Sequence, residues 1–145
     1  MEVTGLEAAL KRIDGMSKRV DFAVKTAVRK VGLLAEAEIK TTLVGTFNDG
    51  HKRSDGRYTD SPLGTPPMTR TGALRASVRP SQPKPEGFAS YSIVVGPGVK
   101  YARALELGLS NGATYPFVTP ASEKLTKSGR VQRLYAETLR AALRK

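Results

Sequence analysis

Apolar residues recur every three or four positions in the N-terminal third of the chain, a period that indicates amphipathic helices. A short first helix is expected to end at Asp14-Gly15, because this pair is typical of a turn. A second, longer helix follows and is expected to fade near Thr41-Thr42, where β-branched side chains lose rotamer freedom. Gly32 inside it either permits close approach of a neighbouring element or is neutral. The positions that follow this period in the two helices are Val3, Leu6, Leu10, Ile13, Val20, Val24, Ala27, Val31, Leu34 or Ala35, and Glu38 or Ile39.

This periodicity disappears over residues 44–72, where glycine, proline, asparagine, aspartate and serine dominate. The segment is predicted to be a long inserted loop, and a loop of this length is usually functional. We expect it to become ordered against a neighbouring subunit. His51, the only histidine, lies near Asp49 and Asp55, but three such residues on a loop are a weak signal for a metal site.

The period then changes to two, which indicates half-buried strands. Leu74 to Val78 and Phe88 to Gly96 are predicted to pair as an antiparallel hairpin with a proline-rich tip between Pro80 and Gly87. Tyr101 to Leu107 fits either a strand or a helical turn. A helix returns from Thr119 to Lys145, with an interruption expected at Ser128-Gly129. The prediction is a single α+β domain spanning residues 1–145: a small antiparallel sheet packed by a long N-terminal helix and a C-terminal helix, with a long inserted loop.

The composition narrows the classes of function. The chain has 24 Lys and Arg against 13 Asp and Glu, a net charge of +11, and no cysteine. Thiolate chemistry and disulfides are therefore excluded, and no apolar run is long enough to predict a membrane span. The positive excess lies in the loops and in the C-terminal helix, at residues that include Arg130, Arg133, Arg140 and Arg144.

These four arginines have two interpretations. They could face a polyanion such as DNA or an acidic protein partner, or they could form an ordinary solvated helix face. Replacing all four with glutamine is expected to leave the fold intact, because glutamine retains much of the helix propensity.

No constellation of residues points to catalysis. The serines lack a nucleophile-elbow context, and the single histidine has no cysteine partner. No cofactor or metal is expected. Glu106 could act as a general acid–base, but an ion pair with Arg75, Arg103 or a neighbouring chain is the preferred interpretation.

Five short motifs resemble, in chain order, a family of tailed-phage neck proteins typified by the tenth gene product of a lambdoid siphophage. The first and second motifs are "V-x-G-L-x-x-x-L", at Val3, Gly5, Leu6 and Leu10, and "P-x-x-T-G-x-L-x-x-S", at Pro67, Thr71, Gly72, Leu74 and Ser77. The second has one residue more between its Pro and Thr than the family pattern. The others are "V-G", at Val95 and Gly96, "Y-A-x-x-x-E-x-G", at Tyr101, Ala102, Glu106 and Gly108, and "P-F-x-x-P-A", at Pro116, Phe117, Pro120 and Ala121.

The resemblance implies a structural virion protein rather than an enzyme. It implies a tail-completion or head–tail joining subunit that forms a homo-oligomeric ring, six copies by expectation, after assembly in the host cytoplasm. Its partners would be the head–tail connector and the tail-tube or tail-terminator proteins, with non-specific contact to packaged DNA. Structural and interface roles are expected for Pro67, Thr71, Gly72, Leu74, Tyr101, Glu106, Gly108, Pro116 and Phe117.

Two further expectations concern single residues of these motifs. Phe117 should anchor the C-terminal helix to the sheet, and Gly108 should adopt a backbone conformation that a side chain would strain. The alternative function is a small basic protein that binds DNA without sequence preference, and a small hydrolase or nuclease is the third possibility.

Overall fold

The chain has an α+β fold organised along one long helix. The computed structural model describes residues 5–44, 63–67, 72–108 and 112–144. In these ranges the helices are α1 Leu6–Val44, α2 Ala73–Ser77, α3 Ala102–Leu107, α4 Val118–Ser128 and α5 Arg130–Leu143. The strands are β1 Val78–Pro80, β2 Lys84–Gly87, β3 Ser90–Ser92 and β4 Val95–Pro97. The predicted fold class is confirmed, whereas most of the predicted loop, with His51, lies outside the described residues.

Helix α1 is continuous over 39 residues, so the break predicted at Asp14-Gly15 is wrong. A glycine inside a helix costs only about 1 kcal/mol relative to alanine, and side chains one turn away reinforce the helix here. Lys18 Nζ lies 2.7 Å from Asp14 Oδ2, and Arg19 Nε donates to the Gly15 carbonyl at 3.3 Å. At a rise of 1.5 Å per residue, α1 is about 58 Å long.

Residues 78–97 form one antiparallel hairpin built from two nested ladders. The outer ladder pairs β1 with β4 and places Val78 opposite Pro97. The inner ladder pairs β2 with β3 and places Lys84 opposite Ser92, with a register shift before Gly87. Between the two ladders, Ser81 N donates to the Val94 carbonyl at 2.7 Å. The predicted hairpin is therefore present.

The boundaries of its strands differ from the prediction. Residues 73–77 form α2 rather than the start of the first strand, and the expected turn region contains β2. Leu74 and Val78 fit both periods, since they are an even number of residues apart and also one helical turn apart. Both side chains reach the core cluster. Pro85 is tolerated in β2 because a strand at a sheet edge does not need every N–H donor.

The hairpin packs across the middle of α1, held at two points. A Cβ at Gly32 would collide with the Ile93 side chain and lie 3.3 Å from Pro80 Cβ, so this glycine permits the close approach that the sequence suggested. At the tip, Asp21 Oδ1 accepts from Ala89 N at 3.1 Å. Its Oδ2 accepts from the Tyr91 hydroxyl at 2.7 Å, and this hydrogen bond raises the pKa of Tyr91.

The C-terminal helix is interrupted at Gly129, as predicted, and α4 and α5 follow each other with this residue in a left-handed conformation. Arg130 at the start of α5 lies beside Glu38 of α1, with 3.0 Å between Arg130 Nη1 and Glu38 Oε2. Only six residues of α1 follow Glu38. Helix α5 therefore runs back along α1 in the antiparallel direction.

The core lies where α1, β1, α3 and α4 meet. Phe117 is fully buried and, with Leu43 and Val78, is among the largest fully buried side chains described. Ile39, Ala102 and Ala121 complete the cluster. Phe117 thus joins the C-terminal helices to both α1 and the hairpin, which confirms the packing role predicted for it.

We expect Phe117→Ala to lower the free energy of unfolding by about 3–5 kcal/mol, because it removes a buried aromatic ring from a closed cluster. Denaturant titration followed by circular dichroism measures this loss. The matched control is Phe22→Ala, since Phe22 is 70% exposed and should change stability by no more than about 0.5 kcal/mol. Equal losses in the two variants would contradict the packing role of Phe117.

Candidate functional site

The carboxylate of Glu106 joins α3 to the beginning of α4. Its Oε2 accepts from the backbone N–H of Phe117 at 2.8 Å and of Val118 at 3.1 Å. Its Oε1 accepts from Thr119 N at 2.9 Å and from the Thr119 hydroxyl at 2.7 Å. One side chain therefore satisfies three successive backbone donors.

Helix α4 needs this external acceptor because its own sequence supplies none. Phe117 occupies the N-cap position and makes no side-chain cap hydrogen bond. The next residue after the three capped donors is Pro120, which has no N–H to satisfy and is tolerated in the first turn of a helix. Glu106 thus completes the first turn of α4, and its negative charge also interacts favourably with the helix dipole.

Gly108 allows the chain to return from Glu106 to α4. It ends α3 with φ 66 and ψ 30, a left-handed conformation that glycine adopts without strain. A Cβ there would lie 3.0 Å from Thr114 Cγ2 and 3.1 Å from the Gly112 carbonyl oxygen. The predicted backbone role of Gly108 is confirmed by this geometry, whereas a role at a subunit interface stays a prediction.

The surroundings of Glu106 favour a structural carboxylate over a catalytic one. Burial raises its pKa, but the hydrogen bonds from Phe117, Thr119 and Val118 outweigh burial and hold the pKa below the ordinary value of 4.5. A general acid would need a raised pKa, and a general base would need an oxygen that is not already accepting. The structure also differs from the expected ion pair with Arg75 or Arg103, because the partners of Glu106 are backbone N–H groups and the Thr119 hydroxyl.

An open groove of about 390 Å³ lies between β4, α3 and the start of α4. Its walls are mainly apolar and include Val95, Val99, Leu107 and Phe117, with Arg103 and Glu106 as the charged residues. Because Glu106 is engaged by α4, the groove offers an apolar surface rather than a reactive group.

The remaining predicted site residues lie around this unit in different environments. Leu74 packs against the core, Gly72 precedes α2 at φ 75, and Pro67 and Pro116 are partly buried. Tyr101 is 49% exposed at the start of α3. Thr71 lies outside the described residues.

A second polar centre lies at Glu38, which the sequence analysis did not single out. Glu38 is only 6% exposed and holds two cations from different helices. Arg130 of α5 donates to Oε2 at 3.0 Å, and Lys124 of α4 forms an ion pair with Oε1. A buried carboxylate is costly unless it is paired, so these two cations tie α4 and α5 to α1.

The basic face of the C-terminal helix is consequently smaller than expected. Arg130 belongs to the Glu38 cluster, so its replacement would lower the stability of the fold. Arg133, Arg140 and Arg144 are exposed, and their spacing of seven and four residues places them on one side of α5. Glu137 follows the same spacing and reduces the positive charge of that side.

The described ranges contain no group of three or more His, Asp or Glu side chains arranged to hold a metal ion. Nor does any helix within them have the length and apolarity needed to cross a membrane.

No protein-family model, curated protein or solved structure matches the chain.

We expect Glu106→Gln to lower the free energy of unfolding by about 2 kcal/mol at neutral pH, because an amide cannot accept all four hydrogen bonds and loses the charge. Since the folded pKa of Glu106 is lowered, its contribution is present above pH 4.5 and is lost as the pH falls through the folded pKa. The difference in the free energy of unfolding between wild type and Glu106→Gln should therefore become smaller at acidic pH. Urea titrations over a pH series measure it.

The control for this experiment is Glu123→Gln on the exposed side of α4, where the carboxylate pairs with Lys127. It should change stability by no more than about 0.5 kcal/mol at any pH. A constant gap between wild type and Glu106→Gln across the series would contradict the charged cap.

We expect the arginines of α5 to separate into two classes when each is changed to glutamine. Arg130→Gln should cost about 1 kcal/mol, because Lys124 still pairs with Glu38, and the double change Lys124→Gln/Arg130→Gln about 3 kcal/mol. Arg140→Gln and Arg144→Gln should stay within about 0.5 kcal/mol of wild type. Thermal unfolding measures all four proteins, and equal melting temperatures would show that the Glu38 cluster contributes nothing.

Proposed function

We propose that the chain is a structural subunit of a tailed-phage neck, a tail-completion or head–tail joining protein that forms a ring between the head connector and the tail tube. The ring is expected to contain six copies of the chain. Its partners are the head–tail connector and the tail-tube or tail-terminator proteins, and it acts in the virion after assembly in the host cytoplasm.

The observation that supports this proposal best is the way the two most informative motifs act as one unit. The Glu106 carboxylate of "Y-A-x-x-x-E-x-G" caps the helix that "P-F-x-x-P-A" begins. The aromatic ring of Phe117 and the small side chains of Ala102 and Ala121 then fill the core beside them. Residues of these motifs are used for folding, which fits a scaffold that works through its surfaces.

The exposed surface also suits a protein that assembles with others. Leu63, Phe88 and Val94 are each at least 70% exposed, and the first turns of α1 carry further exposed apolar side chains. Apolar residues in such numbers mark contact surfaces when they lie close together.

Imaging of intact particles at the neck tests the proposal. We expect a closed ring into which this fold can be placed, between the connector and the tail tube. Silencing the gene should yield filled heads and separate tails. Normal infectious particles without the protein, or a neck that contains no copy of it, would reject the function.

Binding to DNA without sequence preference is the second candidate, favoured by the side of α5 that carries Arg133, Arg140 and Arg144. Each phosphate neutralised contributes a slope of about −0.9 to log K against log salt. The triple glutamine variant of these residues should reduce the slope more than Lys25→Gln/Arg29→Gln/Lys30→Gln, which removes equal charge from α1. Equal reductions would assign any affinity to net charge, and no affinity at low salt would reject this candidate.

A further inference from the structure

The first half of α1 contains three consecutive heptads with the same pattern of apolar and charged residues. They read LEAALKR from Leu6, IDGMSKR from Ile13 and VDFAVKT from Val20. In each, the first residue is apolar, the second acidic and the sixth lysine. The fifth residue is apolar in the first and third heptads and serine in the second. The first and fifth positions of these heptads are separated alternately by four and three residues, the spacing that forms the apolar seam of a coiled coil.

The same apolar seam is covered at one end and uncovered at the other. Val24 is 6% and Ala27 0% exposed, where the body of the protein packs on α1. Leu6 and Leu10 are 55% and Ile13 65% exposed. With Asp21 held by the hairpin tip, residues 6–20 extend about 22 Å beyond the packed body. An apolar helix face that continues a buried one is a surface for a further helix.

The charges on the two sides of this seam differ. Glu7 and Asp14 form an acidic flank next to the seam, with Lys11 and Lys18 about 40° farther round the helix and Lys18 paired with Asp14 at 2.7 Å. Arg12 and Arg19 lie on the other flank, beyond the small or flexible side chains of Ala9 and Met16. In a parallel arrangement of like helices, the acidic flank of one copy faces the basic flank of the next. In an antiparallel pair, acidic flank would face acidic flank and basic would face basic. The pattern therefore selects a second copy of this chain in the parallel orientation.

The width of the apolar surface indicates contact on both sides. Ala9 and Met16 extend the seam to three positions per heptad, and Met16 is 60% exposed. A two-stranded coiled coil needs only two positions. A helix with the wider stripe can bury it against two neighbours, as every member of a cyclic arrangement must do.

We propose that residues 6–20 of α1 form a self-association surface on which like copies of this chain pack as parallel helices, the acidic flank of one against the arginine flank of the next. The surface is defined by Leu6, Leu10, Ile13 and Met16. This self-association is expected of the isolated chain and does not depend on a role in the phage neck.

Sedimentation equilibrium of the full-length protein over a concentration series tests the surface. Wild type should associate reversibly, and Leu10→Gln/Ile13→Gln should raise the dissociation constant about 100-fold, since two apolar anchors are lost. Phe22→Gln, on the opposite side of α1, is the matched control and should associate like wild type. Circular dichroism should show equal helix content in all three proteins.

Charge reversal tests the orientation independently of the apolar residues. Arg12→Glu and Asp14→Lys should each weaken association about threefold, and the double variant should recover most of the loss. Tighter association of Asp14→Lys alone would indicate antiparallel packing and overturn the proposal.

Three other results would overturn it as well. These are a monomeric wild type at every concentration, unchanged association of Leu10→Gln/Ile13→Gln, and equal weakening by Phe22→Gln. A monomer that binds anionic vesicles, and loses this binding in Leu10→Gln/Ile13→Gln, would assign the surface to a membrane instead. A particle neck without the protein, with association in solution intact, would reject the neck function and leave this surface standing.

Discussion

The hydrogen bonds between Glu106 and the first turn of α4 join α3 to the beginning of the C-terminal helices. The backbone donors of the first helical turn have no partner within the helix, and Phe117 at the N-cap position makes no side-chain cap hydrogen bond. Glu106 supplies an acceptor from α3, so the position of α3 determines where α4 begins. That position in turn places Phe117 in the core between α1 and β1. The carboxylate therefore sets the geometry on which the packing of the C-terminal helices depends.

Local periodicity predicted much of this architecture because it reports which face of an element is buried. The C-terminal helix and the hairpin were predicted in this way, and the interruption at Gly129 was predicted from the Ser128-Gly129 pair. At Gly32 the sequence left close approach and a neutral role open, and the structure shows close approach. Two local features misled the prediction. Asp14-Gly15 is typical of a turn, yet a single glycine costs too little to break a helix that is continuous on both sides. Leu74 and Val78 satisfy both the helical and the strand period, so a segment this short could not be assigned from pattern alone.

Contacts between residues far apart in sequence were beyond the reach of that reasoning. Glu106 was recognised as the one acidic residue of its motif, but its partners are the backbone of residues 117–119, which no side-chain pattern reveals. Glu38 appeared only as a residue on the period of α1. Its pairing with Lys124 and Arg130 depends on α5 folding back along α1. Lys124 and Arg130 therefore stabilise the fold, whereas Arg133, Arg140 and Arg144 are exposed on the surface.

Helix α1 is stabilised differently at its two ends. From Ala23 onward its apolar face is buried by the hairpin and α5, and such packing supplies most of the stability of a helix in a protein. The preceding turns lack such packing, and they are helical because they extend a helix that is already nucleated. Leucine and isoleucine at the seam positions contribute nothing to the folded body there, since a helix extension needs only good helix formers such as alanine and lysine. Exposed Leu6, Leu10 and Ile13 lower solubility unless another surface covers them. Their alignment with acidic residues on one flank and arginines on the other is what a surface for like copies requires, and folding of the single chain does not account for it.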